Sequence, residues 1–85
     1  MAAFHSIDLR GKIAAVGDIT FLRAEWWNDE PRFVVIRYAV DGRERLNGLR
    51  MDLDKGAILD DLDRGTLDQT VTNDIWRTVV YEMAD

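Results

Sequence analysis

Arg32-Phe-Val-Val-Ile-Arg-Tyr-Ala-Val40, followed at once by Asp41-Gly42, is the stretch whose reading decides the fold. Its residues are β-branched and aromatic, and they are apolar on both alternating sets: Phe33, Val35 and Ala39 on one, Val34, Ile36, Tyr38 and Val40 on the other. A strand apolar on both faces is expected in the interior of a sheet with material packed on each side. Asp-Gly between two such runs suits a type I′ turn, whose central residues both need positive φ.

Working outward, Ile19 to Trp27 reads as the preceding strand, Asn28 to Pro31 as a loop, and Arg43 to about Leu53 as the following strand. Leu49, Met51 and Leu53 alternate, but Leu46 is three residues from Leu49 and falls on the other face. A bulge at Asn47-Gly48, with the glycine left-handed, would bring Leu46 back to the core. Residues 6–17 admit two readings. Ser6 can cap a helix from Ile7 to Val16 that stops at Gly17, or Lys12 to Val16 can be a strand with a Gly17-Asp18 turn; Ala14 and Ala15 tip the balance to helix. After Leu53 comes a turn and a short extended piece carrying Ile58 and Leu59. Thr66 and Gln69 have the spacing of a capping box, and Leu67, Val71, Ile75, Val79 and Met83 recur at helical intervals. The β-formers of Ile75 to Tyr81 leave a final strand as the alternative. The fold class expected is α+β: an antiparallel sheet of three to four strands in a meander, packed by a C-terminal helix and an N-terminal helix or strand, in one domain spanning residues 1–85.

Charge is unevenly spread. The net −5 resides in residues 52–74, where Asp52, Asp54, Asp60, Asp61, Asp63, Asp68 and Asp74 meet only Lys55 and Arg64. The sheet-forming half is nearly neutral and rich in arginine. The chain has no cysteine, so neither disulfides nor thiolate ligands are available. The opening Met-Ala-Ala-Phe-His-Ser lacks the basic start and apolar stretch of a secretory signal, and no run approaches the ~18 apolar residues that span a bilayer. A cytoplasmic protein without membrane contact is the expectation.

Catalytic constellations are sparse. His5 and Ser6 are the single histidine and the single serine, adjacent and near the chain start, which does not supply a nucleophile, base and orienting group. No phosphate-binding glycine loop is present. Asp52-x-Asp54 before Gly56 has the opening of a calcium loop, but the glycine arrives early and no glutamate closes it. No catalytic residue, cofactor or metal is assigned. Arg32, Arg37, Arg43, Arg45 and Arg50 with Trp26, Trp27 and Tyr38 could line a nucleic-acid surface, yet a pI near 4.7 argues against counterion-driven binding.

Trp26-Trp27 is the most telling surface feature, because strand neighbours face opposite ways and both are buried only if both faces are covered. Either both complete the core, or one meets another molecule. The reading that follows is a small non-enzymatic interaction or regulatory module, a homodimer, with Trp26, Trp27, Tyr38, Arg37 and Arg45 at its contact surface. Two alternatives remain: an acidic inhibitor that imitates nucleic acid through Asp52, Asp54, Asp60, Asp61 and Asp63, and an enzyme dependent on a divalent ion or small ligand.

Overall fold

The Asp41-Gly42 turn forms as its sequence demands, with φ of 52° at Asp41 and 80° at Gly42. In the computed structural model, which describes residues 3–60, 62 and 67–84, this turn joins β3 (Phe33–Val40) to β4 (Arg43–Glu44). The other strands are β1 (Phe4–Asp8), β2 (Ile19–Trp27), β5 (Leu49–Asp52) and β6 (Ala57–Ile58), and a single helix, α1 (Gln69–Met83), follows. All pairings are antiparallel, in the order β1-β2-β3-β5-β6, with β4 also on β3. The α+β class holds, but the described sheet has six strands, more than the three or four expected, because β1 and the very short β4 and β6 carry little pattern to read. No helix among the described residues is long and apolar enough to cross a membrane.

The inner face of the sheet carries Phe21, Ala24, Val34, Ile36, Tyr38, Leu49 and Met51, all buried, and α1 closes over it with Ile75 and Val79. The helical stripe is the one its spacing predicts, flanked by Leu67, Val71 and Met83 as partly buried neighbours. Its N-cap is Asp68, whose side chain accepts the N–H of Thr70 at 2.8 Å. Thr66 lies outside the described residues. Trp76 donates its indole N–H to the carbonyl of Leu53 at 2.8 Å, which ties α1 to the turn leaving β5.

The N-terminal segment corrects the sequence reading. It is not a helix over 7–16: residues 4–8 form an edge strand, and the chain then turns, with Leu9 inserted fully into the core and Ile13 and Val16 against it. Of the two readings, the Gly17-Asp18 turn survives, since Val16 and Ile19 exchange both backbone hydrogen bonds around it. Lys12 Nζ reaches Glu82 Oε1 of α1 at 2.9 Å and anchors this segment.

Two irregularities set which residues face inward. Phe21 lies opposite Tyr38 and Arg23 opposite Arg37, so Leu22 is surplus on β2. That single bulge lets Phe21 and Ala24, three apart, share the inner face. On the other side of β3, Ala39 faces Glu44 and Ile36 faces Leu49, so three steps along β3 match five on the facing chain. Two residues, Leu46 and Asn47, loop out. An even surplus leaves parity unchanged, so Leu46 does not return to the core and is 92% exposed. Gly48 is not left-handed here; its role is close approach, because a Cβ would overlap Val35 Cγ1 and sit 3.0 Å from the Ile36 carbonyl oxygen.

The expectation of a layer on both faces of β3 is also corrected. β3 is interior, but among the described residues a layer covers its inner face alone. On the outer face Ala39 is shielded by its register neighbours Thr20 and Glu44, Val35 is half-buried, and Phe33 is exposed. Antiparallel sheets support one solvated face without penalty to the ladder. Replacing Gly48 by alanine is expected to destabilise the fold by about 1–3 kcal/mol through overpacking against a backbone carbonyl that cannot step aside, read as a lower urea midpoint at unchanged slope; an unchanged midpoint would refute the close-approach role.

Candidate functional site: the open face of the sheet

The outer face is built from three zones. At its centre Arg23 and Arg37 lie directly opposite each other on β2 and β3. Two like charges in register repel unless carboxylates intervene, and here they do. Glu44 takes both Arg23 terminal nitrogens, Nη1 at 2.9 Å and Nη2 at 3.0 Å, and Glu25 accepts Arg23 Nε at 2.9 Å. Arg37 leans to the same two acids, at 3.4 Å from Glu44 and 3.7 Å from Glu25. Hydrogen bonding from Arg23 holds the Glu44 carboxyl below its usual range. The Arg37 Nη1 also donates to the Leu46 carbonyl at 3.0 Å, so the charge network pins the two-residue excursion in place.

At the end of the face near the 28–32 turn, three aromatic rings are left in water. Phe4 and Trp27 are opposite in register and meet edge to face with centroids 5.1 Å apart. Alternation carries Trp27 and Phe33, each two residues beyond the Glu25–Val35 pair, onto this same face. The three are 52%, 53% and 38% exposed for Phe4, Trp27 and Phe33. The Arg32 guanidinium stands 5.1 Å from the Phe33 ring centroid, within cation–π range.

At the opposite end, residues 43–48 form an arm with exposed Arg43, Arg45 and Leu46. Neither arginine is in an ion pair among the described residues. Between this arm and β5 runs an open trough of about 1300 Å³ lined by Val35, Arg37, Arg45, Leu46 and Arg50 among others. It is an open surface concavity, above the ~300–1,000 Å³ usual for enclosed small-ligand sites.

The residues singled out in the sequence separate in the fold. Trp27, Arg37 and Arg45 are on the outer face or its arm. Trp26 points inward, packs against the core and stacks on His5 with centroids 5.6 Å apart. Tyr38 is buried on the inner face. His5 and Ser6, as strand neighbours, face opposite ways. Phe4, Phe33 and Leu46 are the surface residues the sequence reading missed; the signal for the first two was the parity of Trp27.

Within the acidic segment, Asp52 and Asp60 are engaged by arginines. Asp52, 3% exposed, is gripped by Arg32 through Nε at 3.0 Å and Nη2 at 2.9 Å, and also accepts the N–H of Asp54 at 3.0 Å. Arg32 also lies 3.4 Å from Asp54. Asp60 holds Arg50 through its Nη2 at 2.8 Å and its backbone N–H at 2.9 Å. Asp61 and Asp63 lie outside the described residues. Among the described residues no three side chains of histidine, aspartate or glutamate are grouped to hold a metal ion.

Hydrogen bonds from Arg32 hold the Asp52 carboxyl below its ordinary value, against burial, which works the other way; Asp60 is lowered chiefly by Arg50 and Asp8 by Arg10. A carboxyl more acidic folded than unfolded contributes stability that is complete above the unfolded value, about 3.9, and is lost as pH falls through the folded one. Asp52→Asn is therefore expected to lower the urea midpoint at pH 7, with the gap from the parent narrowing below about pH 4; a constant gap across the series would rule the linkage out. No protein-family model matches this chain, and no curated protein or solved structure is similar to it.

Proposed function

We propose that this chain is a small non-enzymatic interaction module that acts as a homodimer through the open face of its sheet. The observation that carries the reading is the row Phe4–Trp27–Phe33, three large rings held on three adjacent strands with no described element over them. Exposed aromatic clusters beside arginines have the composition of protein contact sites. The edges of the sheet are less inviting. β6 is two residues long, and β1 is five residues with Asp8 and Arg10 paired at its end. Short, charged edges discourage strand addition, which leaves the face.

The rival readings have weaker support. A mimic of nucleic acid must present free negative charge, whereas Asp52, Asp54 and Asp60 are engaged by Arg32 and Arg50. The same pairing spends the carboxylates a divalent ion would need. Sedimentation equilibrium over micromolar to high-micromolar concentrations is expected to give a reversible dimer, and Trp27→Ala to raise its dissociation constant at least ~10-fold, the scale of an aromatic hot spot. A strict monomer throughout that range would overturn the proposal.

A further inference from the structure

The geometry points to a specific register for that dimer, and this inference rests on the homodimer reading: the aromatic end of one protomer seats in the arginine-lined trough of its partner, twice, about a two-fold axis through the Arg23–Glu25–Arg37–Glu44 network.

Three features of the face carry it. The first is shape. The face has a projection at one end, Trp27 with Phe4 and Phe33, and a concavity at the other, between the 43–48 arm and β5. Phe33 and Arg37, four residues apart on β3, place the two ends about 13 Å apart. A two-fold interface is self-complementary, so a residue i that meets j in the partner is met by j in return. A knob and a hole on the same face satisfy this only when the two sheets run head to tail.

The second is charge. The turn beside the aromatic row carries exposed Asp29 and Glu30, and the arm beside the trough carries exposed Arg43 and Arg45. Head-to-tail docking brings acid to base at both ends; head-to-head docking sets like against like. Like-charge juxtaposition is the stronger discriminator of register. The central network, already neutralised within each protomer, meets its own copy without a surplus of either sign.

The third is area. Five strands spaced ~4.8 Å apart and roughly 20 Å long give a plane on the order of 400–500 Å². A stable interface covers about 800 Å² per partner, so contact must take in both ends of the face and the protruding 43–48 arm as well. Trp27 entering a site lined by Arg37, Arg45 and Arg50 also gains cation–π contact. Leu46, held outward by the Arg37 bond to its carbonyl, closes on the rim of the partner's aromatic row.

The absence of cysteine makes the register directly readable. Asp29→Cys and Leu46→Cys, both at exposed positions, are prepared separately and mixed before mild oxidation. The expected result is a disulfide dimer in the mixture, linking position 29 to position 46, with none from either variant alone. Cross-linking of 29 to 29 or 46 to 46 would overturn the register while leaving the dimer standing. A monomer by sedimentation would overturn both, and a species larger than a dimer by sedimentation would overturn the two-fold axis. As a second readout, Arg45→Glu is expected to weaken the dimer at least ~10-fold and Glu30→Arg in the same chain to recover most of that loss; no recovery would overturn the pairing of these ends.

Discussion

Which side of β3 a residue faces governs the rest of this molecule. β3 has neighbours on both edges, so it cannot shift to suit either one; its neighbours adjust instead. On β2 the adjustment is one surplus residue, Leu22, which switches parity and turns Phe21 and Ala24 to the same side. Leu22 is not wasted, because its carbonyl takes the N–H of Leu9 at 2.9 Å and so guides the N-terminal segment into the core. On the opposite edge the surplus is two residues, which preserves parity and ejects Leu46. One extra residue completes the core; two make a protruding arm. The same constraint thus produces both the packing and the exposed surface.

Electrostatics on the outer face follow from that register rather than from composition. Placing Arg23 opposite Arg37 would cost the sheet if nothing stood between them, and the sequence supplies Glu25 from the same strand and Glu44 from β4. β4 is only two residues long, yet it delivers the carboxylate that neutralises the pair. Around them Ala39 is flanked by Thr20 and Glu44 and Val35 is half-buried, with no second layer over either among the described residues. The acid-rich segment is treated similarly. Arg32 and Arg50, from the near-neutral half of the chain, take up Asp52 and Asp60 from the acidic half, so the boundary seen in composition is stitched over in three dimensions.

Much of the fold was legible because its signals were local and redundant. Asp41-Gly42 admits one turn type, and Ile75 and Val79 sit in a stripe five apolar residues long. The N-terminal strand was not legible: Phe-His-Ser-Ile-Asp has four exposed residues and one half-buried, so alternation is absent and pairing with β2 decides the matter. Capping by Ser6 and the fully buried Leu9 imitated a helix face that tertiary contact overrode. For the site, sequence parity showed that Trp26 and Trp27 must part company, and that Val34 and Phe33 must too. It carried no information about which set the helix covers, since both sets are apolar. That is why parity alone does not tell that Tyr38 is buried and that Phe33 joins Trp27 in the solvent.

Two copies of a chain with net charge −5 repel at long range, and the repulsion is screened within about 10 Å at moderate salt. What remains at contact is set by the local charges of the surfaces that meet. Among the described residues the acidic excess gathers beyond β5 and on α1, where Asp54, Asp68 and Asp74 are exposed. The outer face is the opposite case: Arg23, Arg37, Arg43, Arg45 and Arg50 stand against Glu25, Glu44 and Asp60, most of them already paired. It is therefore the approach along which an acidic molecule meets its own copy with least electrostatic cost. Phe4, Trp27 and Phe33 lie on this same face, so low repulsion and available apolar area coincide there. Raising salt should then strengthen long-range approach while weakening the Asp29–Glu30 to Arg43–Arg45 attraction, so the two effects oppose each other and the dimer's salt dependence is shallow.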